Sequence, residues 1–206
     1  TTGIKILTNA GQTRLFDAAP TTTITAGHIV RFRVKITSGG LITSDRIGVR
    51  IRIDDTTTND YDLSVRFTTT QFRVYDNNAS LTKNTTTKNM TNETEFIIAV
   101  ANGNASVFFR DYDGNQAKNY TKIDITGLNN GGGGAGGYLK WGNITAPAVA
   151  TESDWSEFHV ISNTLTGLQM IGSIAPNYQL YPPQGRYRYL SGGLSISCQD
   201  SPAYEN

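Results

Sequence analysis

Six arginines stand between apolar residues of short alternating segments. They are Arg31, Arg33, Arg50, Arg52, Arg66 and Arg73. In a β-strand this alternation places the apolar side chains on one side and the arginines on the other. A guanidinium group binds carboxylate or phosphate through two parallel hydrogen bonds. If the segments are neighbours in one sheet, the arginines form a single cationic face suited to a uronic acid, a sialic acid or a teichoic phosphate.

Two other interpretations of the arginines remain open. The cations can form an ordinary solvated face that is balanced by the aspartates at the segment ends. These aspartates are Asp54, Asp55, Asp60, Asp62 and Asp76. The arginines can also form a subunit interface, because arginine is enriched in such surfaces.

Aromatic residues near these segments suggest a sugar site, since aromatic rings stack on the apolar faces of pyranoses. The candidates fall at the edges of predicted strands or in loops, and they are Tyr75, Tyr112, Tyr120, Tyr138 and Trp141. Trp155 begins an alternating segment and is predicted to lie in the core instead.

The segment "DYDGN" has the spacing of a metal loop. Asp111, Asp113 and Asn115 supply oxygen ligands of the kind that calcium prefers. An EF-hand would carry glutamate at its twelfth position, where this sequence has Lys122, and no helices flank the segment. We interpret the segment as a hairpin turn in which Asp-Gly adopts positive φ angles, with calcium as the alternative. No other cofactor is expected.

The sequence offers little that supports catalysis. It contains two histidines, His28 and His159, and neither belongs to a recognisable triad with serine or cysteine. Glu152, Asp154 and Glu157 lie close together in sequence, but a solvated strand edge explains them as well as an acid–base pair does. A protein without catalytic activity is predicted.

Alternating segments run through most of the chain and define the elements that must position these residues. The predicted strands are 29–37, 47–55, 61–67, 71–78, 95–100, 105–110, 119–125, 137–142, 155–161, 187–190 and 194–197. Many short strands with turns between them predict an all-β antiparallel sandwich. The polar segment 79–93 is predicted to be a long connection, and the glycine-rich segment 128–137 a mobile surface loop.

Composition excludes several classes of function. The formal net charge of +1 gives no general attraction to nucleic acid, and no apolar run is long enough for membrane insertion. Cys198 is the single cysteine, which excludes an internal disulfide and favours folding in a reducing cytoplasm. The N-terminus "TTGIKILTNAG" has no initiator methionine and no signal peptide, so we expect a mature fragment or an excised domain.

The order of the segments resembles a known family. The strands of "VRFRVKI", "IGVRIRIDD" and "YDLSVRF", the hairpin "VANGNASVFF" and the late strand "YLKWGN" are similar to concanavalin A-like jelly rolls, including laminin-G modules. The resemblance covers about residues 28–162. It implies a jelly-roll sandwich over residues 1–165, followed by a Tyr/Pro/Gly-rich C-terminal arm or extra hairpin over 166–206.

The resemblance also implies a function, since such modules are common in carbohydrate-binding proteins and in bacteriophage tail fibres. We expect a non-catalytic receptor-binding module of a tail fibre or appendage that recognises a cell-surface glycan. It would lie on the virion surface, fold in the host cytoplasm and assemble as a homotrimer. The alternatives are a purely structural assembly domain and a polysaccharide lyase or glycoside hydrolase of jelly-roll type; "YLKWGN" resembles one strand motif of such lyases without its companion motifs.

Overall fold

Two six-stranded antiparallel sheets stack to form the protein. The computed structural model describes residues 3–11, 15–18, 28–39, 47–54, 58–101, 103–112, 119–132, 136–144, 149–162, 188–190 and 193–195. The first sheet, called the β3 sheet, has the order β1 (Ile4–Thr8), β12 (Thr151–Ser162), β3 (His28–Ser38), β8 (Thr94–Ala101), β9 (Asn104–Asp111) and β10 (Thr121–Ile125). The second sheet, called the β4 sheet, has the order β2 (Leu15–Ala18), β11 (Tyr138–Asn143), β4 (Ile47–Asp54), β5 (Asp60–Phe67), β6 (Gln71–Asp76) and β7 (Leu81–Thr87).

Every pair of neighbouring strands is antiparallel, and the fold is the predicted jelly-roll sandwich. Consecutive strands pair as hairpins from β4 to β7 and from β8 to β10, whereas β3 pairs with the distant strands β8 and β12. A short C-terminal hairpin joins β13 (Arg188–Leu190) to β14 (Gly193–Ser195). The boundary at residue 165 stays a prediction. No helix in the described residues has the length and apolarity to cross a bilayer.

The core lies between the sheets and is built from the apolar half of each alternating segment. Phe32 of β3 is fully buried, with its ring centroid 5.5 Å from that of Phe96 and 6.0 Å from that of Phe67 in the opposite sheet. Burying one such phenylalanine contributes about 1.5–3 kcal/mol to stability. Trp155 is 2% exposed in the same cluster, as predicted. The alternation therefore fixes which side of each strand faces outward.

The polar segment 79–93 is not simply a connection, because it contains β7. This strand pairs with β6 along the edge of the β4 sheet, and Thr85 stands opposite Arg73. The sequence "LTKNTTT" has no apolar alternation, and its residues range from half-buried to exposed. An edge strand without a core-facing side leaves no period-2 signal, which is why the prediction was wrong.

The glycine-rich segment 128–137 is anchored in its described part, contrary to the prediction of a mobile loop. The backbone N–H of Asn129 donates to Asp76 Oδ2 at 2.8 Å, and that of Gly131 donates to the carbonyl oxygen of Asp60 at 2.8 Å. A Cβ atom at Gly131 would lie 2.4 Å from Asp60 Oδ2, so the close approach requires glycine. These contacts hold the segment against the ends of β5 and β6.

Candidate functional site

The six arginines occupy two opposite sides of the sandwich. Arg31 and Arg33 lie on β3, whereas the other four lie on β4, β5 and β6 of the second sheet. Both groups point away from the core, because the apolar residues between them pack inward. The prediction of a single cationic face is therefore wrong. The physical reason is that β3 pairs with β8 and β12 instead of with β4, its successor in sequence.

Four strands of the β4 sheet bring the remaining arginines together with two of the predicted tyrosines, Tyr75 and Tyr138. We call this outer surface the arginine face and define it by Arg50, Arg52, Arg66, Arg73, Tyr75, Tyr138 and Lys140. The register places Lys140 beside Arg50, then Ser64, then Tyr75 across four strands. A second row places Tyr138 beside Arg52 and Asp62, and a third places Arg66 beside Arg73. Each of the seven defining side chains is half-buried.

Two of these arginines form two-pronged ion pairs with aspartates of the neighbouring strand β5. Arg50 donates from Nε and NH2 to Asp62 at 2.9 and 2.5 Å, and Arg52 donates likewise to Asp60 at 2.8 and 2.5 Å. The hydrogen bond to Asp62 raises the pKa of Arg50 above its ordinary value, against the opposing effect of burial. Asp60 and Asp62 therefore act as the local partners that the sequence suggested.

Tyr138 completes this charge cluster from β11. Its hydroxyl donates to Asp62 Oδ2 at 2.8 Å, and its ring centroid lies 5.3 Å from the guanidinium carbon of Arg50 and 4.7 Å from Nζ of Lys140. Burial, followed by the negative charge of Asp62, raises the pKa of the Tyr138 hydroxyl well above its ordinary value. The tyrosine is therefore a hydrogen-bond donor and a cation–π partner at neutral pH.

The opposite end of the arginine face is arranged differently. Arg66 donates from Nε to Ser64 Oγ at 3.0 Å and from NH2 to Asn77 Oδ1 at 2.9 Å, and both acceptors are uncharged. Its guanidinium carbon lies 3.6 Å from the ring centroid of Tyr75. Arg73 stands directly opposite Arg66 on β6. Like charges directly opposite each other destabilise a strand pair.

The arginine face carries excess positive charge. Among the described residues of the four strands β11, β4, β5 and β6, five cations and three carboxylates project outward. The excess is two positive charges (five minus three). The cations are Arg50, Arg52, Arg66, Arg73 and Lys140, and the carboxylates are Asp54, Asp60 and Asp62. Because the carboxylates belong to the β4–β5 end, the excess is concentrated near Arg66 and Arg73.

Arg31 and Arg33 are buried on the outer side of the β3 sheet, at 9% and 3% exposure, which contradicts their predicted place on an open binding face. Arg31 donates from Nε to the fully buried Glu95 at 2.6 Å, and Arg110 and Tyr120 donate to the same carboxylate at 2.7 and 2.9 Å. Burial raises the pKa of Glu95, but Arg31 and Arg110 outweigh it and leave that pKa below its ordinary value. This cluster is an internal ion-pair network.

Trp141 faces inward from β11, a position that contradicts the prediction of an exposed stacking ring. Its side of the strand is opposite to that of Tyr138 and Lys140, and it is 8% exposed. Its ring is stacked on Phe158 at 4.6 Å and on Phe16 at 4.3 Å. The tryptophan therefore belongs to the core, whereas its strand neighbours belong to the candidate site.

The segment "DYDGN", interpreted as a hairpin turn with calcium as the alternative, is described only at Asp111 and Tyr112. Asp111 ends β9, and its Oδ1 accepts a hydrogen bond from Lys88 Nζ at 2.5 Å, so an ammonium group neutralises this carboxylate. Asp113 and Asn115 lie outside the described residues. Within the described ranges, no group of three or more His, Cys, Asp or Glu side chains could hold a metal ion.

Two members of the site were not predicted, Lys140 and Asn77. Lys140 alternates with Tyr138 in "YLKWG", so the same period-2 rule could have placed it on the outer face. Asn77 follows β6 in a turn, and its amide connects Asp62 to Arg66, with Nδ2 donating to Asp62 Oδ1 at 2.8 Å. A turn asparagine carries no signal of this role in the sequence.

Comparison with known proteins supports the fold. No protein-family model matches the sequence, and no curated protein does. A functionally unknown protein from Saccharomyces cerevisiae is similar in structure, with a TM-score of 0.51 and 12% identity over 79% of this chain and 89% of that chain. The family 7 alginate lyase A1-II′, solved in complex with a product (GGG), has a TM-score of 0.50 and 10% identity over 77% of this chain and 79% of its own. At these identities the likeness shows the jelly-roll fold alone.

Proposed function

We propose that the protein is a non-catalytic recognition module whose arginine face binds an acidic cell-surface glycan. The observation that carries this proposal is the grouping of Arg66, Arg73 and Tyr75 on one half-buried sheet surface with excess positive charge. Guanidinium groups bind acidic substituents, and an adjacent aromatic ring binds the apolar side of a sugar.

Arg66 and Arg73 make the contact with the acidic group. A carboxylate, sulfate or phosphate between two arginines on paired strands would offset their mutual repulsion and accept hydrogen bonds from both. Tyr75 lies against Arg66 at 3.6 Å, which places an aromatic ring beside the anion site. The ligand is therefore an acidic polysaccharide: its acidic substituent contacts the two arginines, and the apolar face of a pyranose ring contacts Tyr75.

Arg50 and Arg52 are themselves fixed in position by ion pairs with aspartates of β5. Their two-pronged pairs with Asp62 and Asp60 hold the guanidinium groups in fixed orientations beneath the Tyr138 ring. The Arg50 side chain is 32% exposed, which leaves part of it accessible to a second sugar unit. Pre-positioned side chains lose little conformational entropy when a ligand binds.

The structural likeness to an alginate lyase supports the carbohydrate part of this proposal, since that enzyme acts on a polysaccharide by name and shares the fold. A shared fold does not fix function, so the argument rests on the residues of the face.

We further propose that the module belongs to a phage tail fibre or appendage on the virion surface, folds in the host cytoplasm and works as a homotrimer. A single cysteine and a Thr-, Asn- and Gly-rich composition suit such a protein. Trimerisation would multiply weak sites into useful avidity.

A glycan array tests the proposed function. The wild-type protein is applied to acidic and neutral glycans, with calcium and with chelator, beside the double variant Arg66→Ala/Arg73→Ala. A matched control, Lys88→Ala/Lys122→Ala, removes the same charge away from the arginine face. We expect binding to uronate, sialylated or teichoic ligands that the Arg66/Arg73 variant loses and the control retains.

The array also separates recognition from a purely structural role. A structural assembly domain would give no retention on any glycan, and its Arg66/Arg73 variant would fail to assemble, as measured by light scattering. Normal assembly with lost glycan retention supports recognition, and unchanged retention after loss of both arginines overturns the proposal.

A jelly-roll polysaccharide lyase is the second candidate, and the contact of Tyr138 with Asp62, Arg50 and Lys140 favours it. We place it second because the Tyr138 proton is held by Asp62 and both histidines lie on strands of the other sheet. A lyase would release unsaturated sugar ends, which absorb in the ultraviolet, and Tyr138→Phe would abolish that signal.

A further inference from the structure

A cleft opens on the side of the sandwich opposite to the arginine face. This cleft has a volume of about 910 Å³ and lies over the outer side of β1, β12 and β3, near the end of β9. Its volume falls within the range of sites that hold small ligands. We call it the Tyr112 cleft, after the aromatic residue in its lining. Nothing in the proposed glycan-binding face accounts for it.

Tyr112 is held rigidly from below by a charged support. The guanidinium carbon of Arg33 lies 3.4 Å from the centroid of the Tyr112 ring, and Arg33 NH1 lies 2.7 Å from Glu157 Oε1. The backbone N–H of Tyr112 donates to the carbonyl oxygen of Glu93 at 2.9 Å. An aromatic ring fixed in this way offers a large apolar surface at a small entropic cost.

The support of the ring depends on a strained residue. Glu157 has a φ of 49°, rare for a residue other than glycine, and it lies in a bulge of β12 between Ser156 and His159. The bulge turns the Glu157 carboxylate toward Arg33. Such strain costs about 1–3 kcal/mol and is concentrated at functional sites. The strained backbone of Glu157 is therefore found at the residue that holds Arg33 against the Tyr112 ring.

The rest of the lining is polar and nearly balanced in charge. It includes Lys5, Lys35, Glu93, Asp111, Asp154 and Asn92. Two residues just outside the lining pair with it, Lys88 with Asp111 and Glu152 with Lys5, so three lysines stand against four carboxylates. Glu93 accepts a hydrogen bond from Ser156 at 2.7 Å, which orients its carboxylate. A balanced set of donors and acceptors suits hydroxyl groups better than a charged ligand.

From this arrangement we infer that the Tyr112 cleft is a second binding site, specific for an uncharged oligosaccharide. The Tyr112 ring stacks on one sugar, and the carboxylates and lysines of the lining exchange hydrogen bonds with its hydroxyl groups. The two sides of the sandwich would then bind glycans of different charge, an acidic one at the arginine face and a neutral one here.

Saturation-transfer NMR and calorimetry with neutral oligosaccharides test the inference. The probes are soluble chains of glucose, mannose, galactose or N-acetylglucosamine, added to the wild-type chain of 206 residues and to the variants Tyr112→Ala, Tyr112→Phe and Asp154→Asn. We expect one class of probe to bind the wild type and Tyr112→Phe, and Tyr112→Ala to lose about tenfold or more in affinity. Asp154→Asn, which alters a different part of the lining, should also weaken binding.

The variant Arg66→Ala/Arg73→Ala makes this site distinguishable from the arginine face, because it should bind the neutral probe normally. Thermal unfolding confirms that each variant is folded; if Tyr112→Ala is not, Asp154→Asn decides the matter. Equal affinity of the folded variants and the wild type overturns the inference. So does a wild-type protein that binds none of the neutral chains, or one that binds only acidic chains in a Tyr112-dependent manner.

Discussion

Asp62 accepts hydrogen bonds from Nε and NH2 of Arg50 at 2.9 and 2.5 Å, and the aspartate side chain is only 3% exposed. Its other partners are the Tyr138 hydroxyl and the Asn77 amide, each at 2.8 Å. Neither of these is charged, so Arg50 is the cation that bonds directly to the buried Asp62, and the charge of Arg52 on the opposite strand adds to it. A charge change at Arg50 therefore tests folding as well as ligand binding.

Replacing Arg50 by alanine should lower the free energy of unfolding by about 1–3 kcal/mol, because the buried Asp62 loses its two-pronged ion pair and keeps only neutral donors and the neighbouring charge of Arg52. The loss is smaller than for a fully buried pair, since about a third of the Arg50 side chain is exposed. Urea denaturation measures it. The exposed pair Lys122–Asp124 provides the control: Lys122→Ala should change stability by about 0.5 kcal/mol or less. Equal effects of the two substitutions would contradict this account.

Glu95 should make the protein sensitive to acid. Arg31 and Arg110 hold its pKa in the folded state below the ordinary value despite burial, so the unfolded chain binds the proton more readily. Its contribution to stability is therefore present above the unfolded-state pKa of about 4.3 and is lost as the pH falls toward the lower folded-state pKa. Urea denaturation from neutral to strongly acidic pH measures this loss.

The variant Glu95→Gln isolates this effect. It should destabilise the protein by about 3–5 kcal/mol at neutral pH, because the buried Arg31 and Arg110 lose the carboxylate that they share, while Glu157 stays 3.5 Å from Arg31. Its stability should also depend less steeply on pH below about 4.3 than that of the wild type. The same slope in both proteins would show that other carboxylates control the acid transition.

The alternation of apolar and polar residues in the sequence predicted the strands that have one buried side and one solvent-facing side. The segments around Phe32, Ile51 and Val65 alternate because one side packs in the core and the other faces outward. The edge strands β1, β2 and β7 escaped prediction. Strand β7 has no buried side, and β1 has only Ile6 and Thr8 buried, so selection for apolar residues at every second position is weak or absent there.

The sequence identified most of the residues of the arginine face, but it did not show that the six arginines are divided between two sheets. Alternation correctly directed Arg50 and Arg66 outward, yet it contains no information about which strand pairs with which. Arg31 was assigned to the wrong surface because β3 pairs with strands that are distant in sequence. Trp141 was misplaced by residue type alone, although its alternation with Lys140 already indicated the inner side of the strand.

Tyr138 should resist ionisation at alkaline pH. Burial and the charge of Asp62 raise the pKa of its hydroxyl above the ordinary value of about 10, so the folded protein keeps a proton that the unfolded chain releases. Stability from this contact is present below about pH 10 and is lost as the pH rises further. An ultraviolet titration should show fewer late-ionising tyrosines in Tyr138→Phe than in the wild type. A variant with the same titration curve would place the resistant hydroxyl elsewhere.

Trp141 should act through the core and not through a ligand. Its ring fills the space between Phe158 and Phe16 and lies 5.3 Å from the Trp155 ring, so Trp141→Ala should cost about 3–5 kcal/mol in the free energy of unfolding. Trp141→Phe keeps an aromatic ring there and should cost clearly less, while leaving glycan retention unchanged. Urea denaturation and the glycan array measure the two quantities separately. If Trp141→Phe were as stable as the wild type but lost glycan retention, the indole would have to contact the ligand, and the assignment of this residue to the core would be wrong.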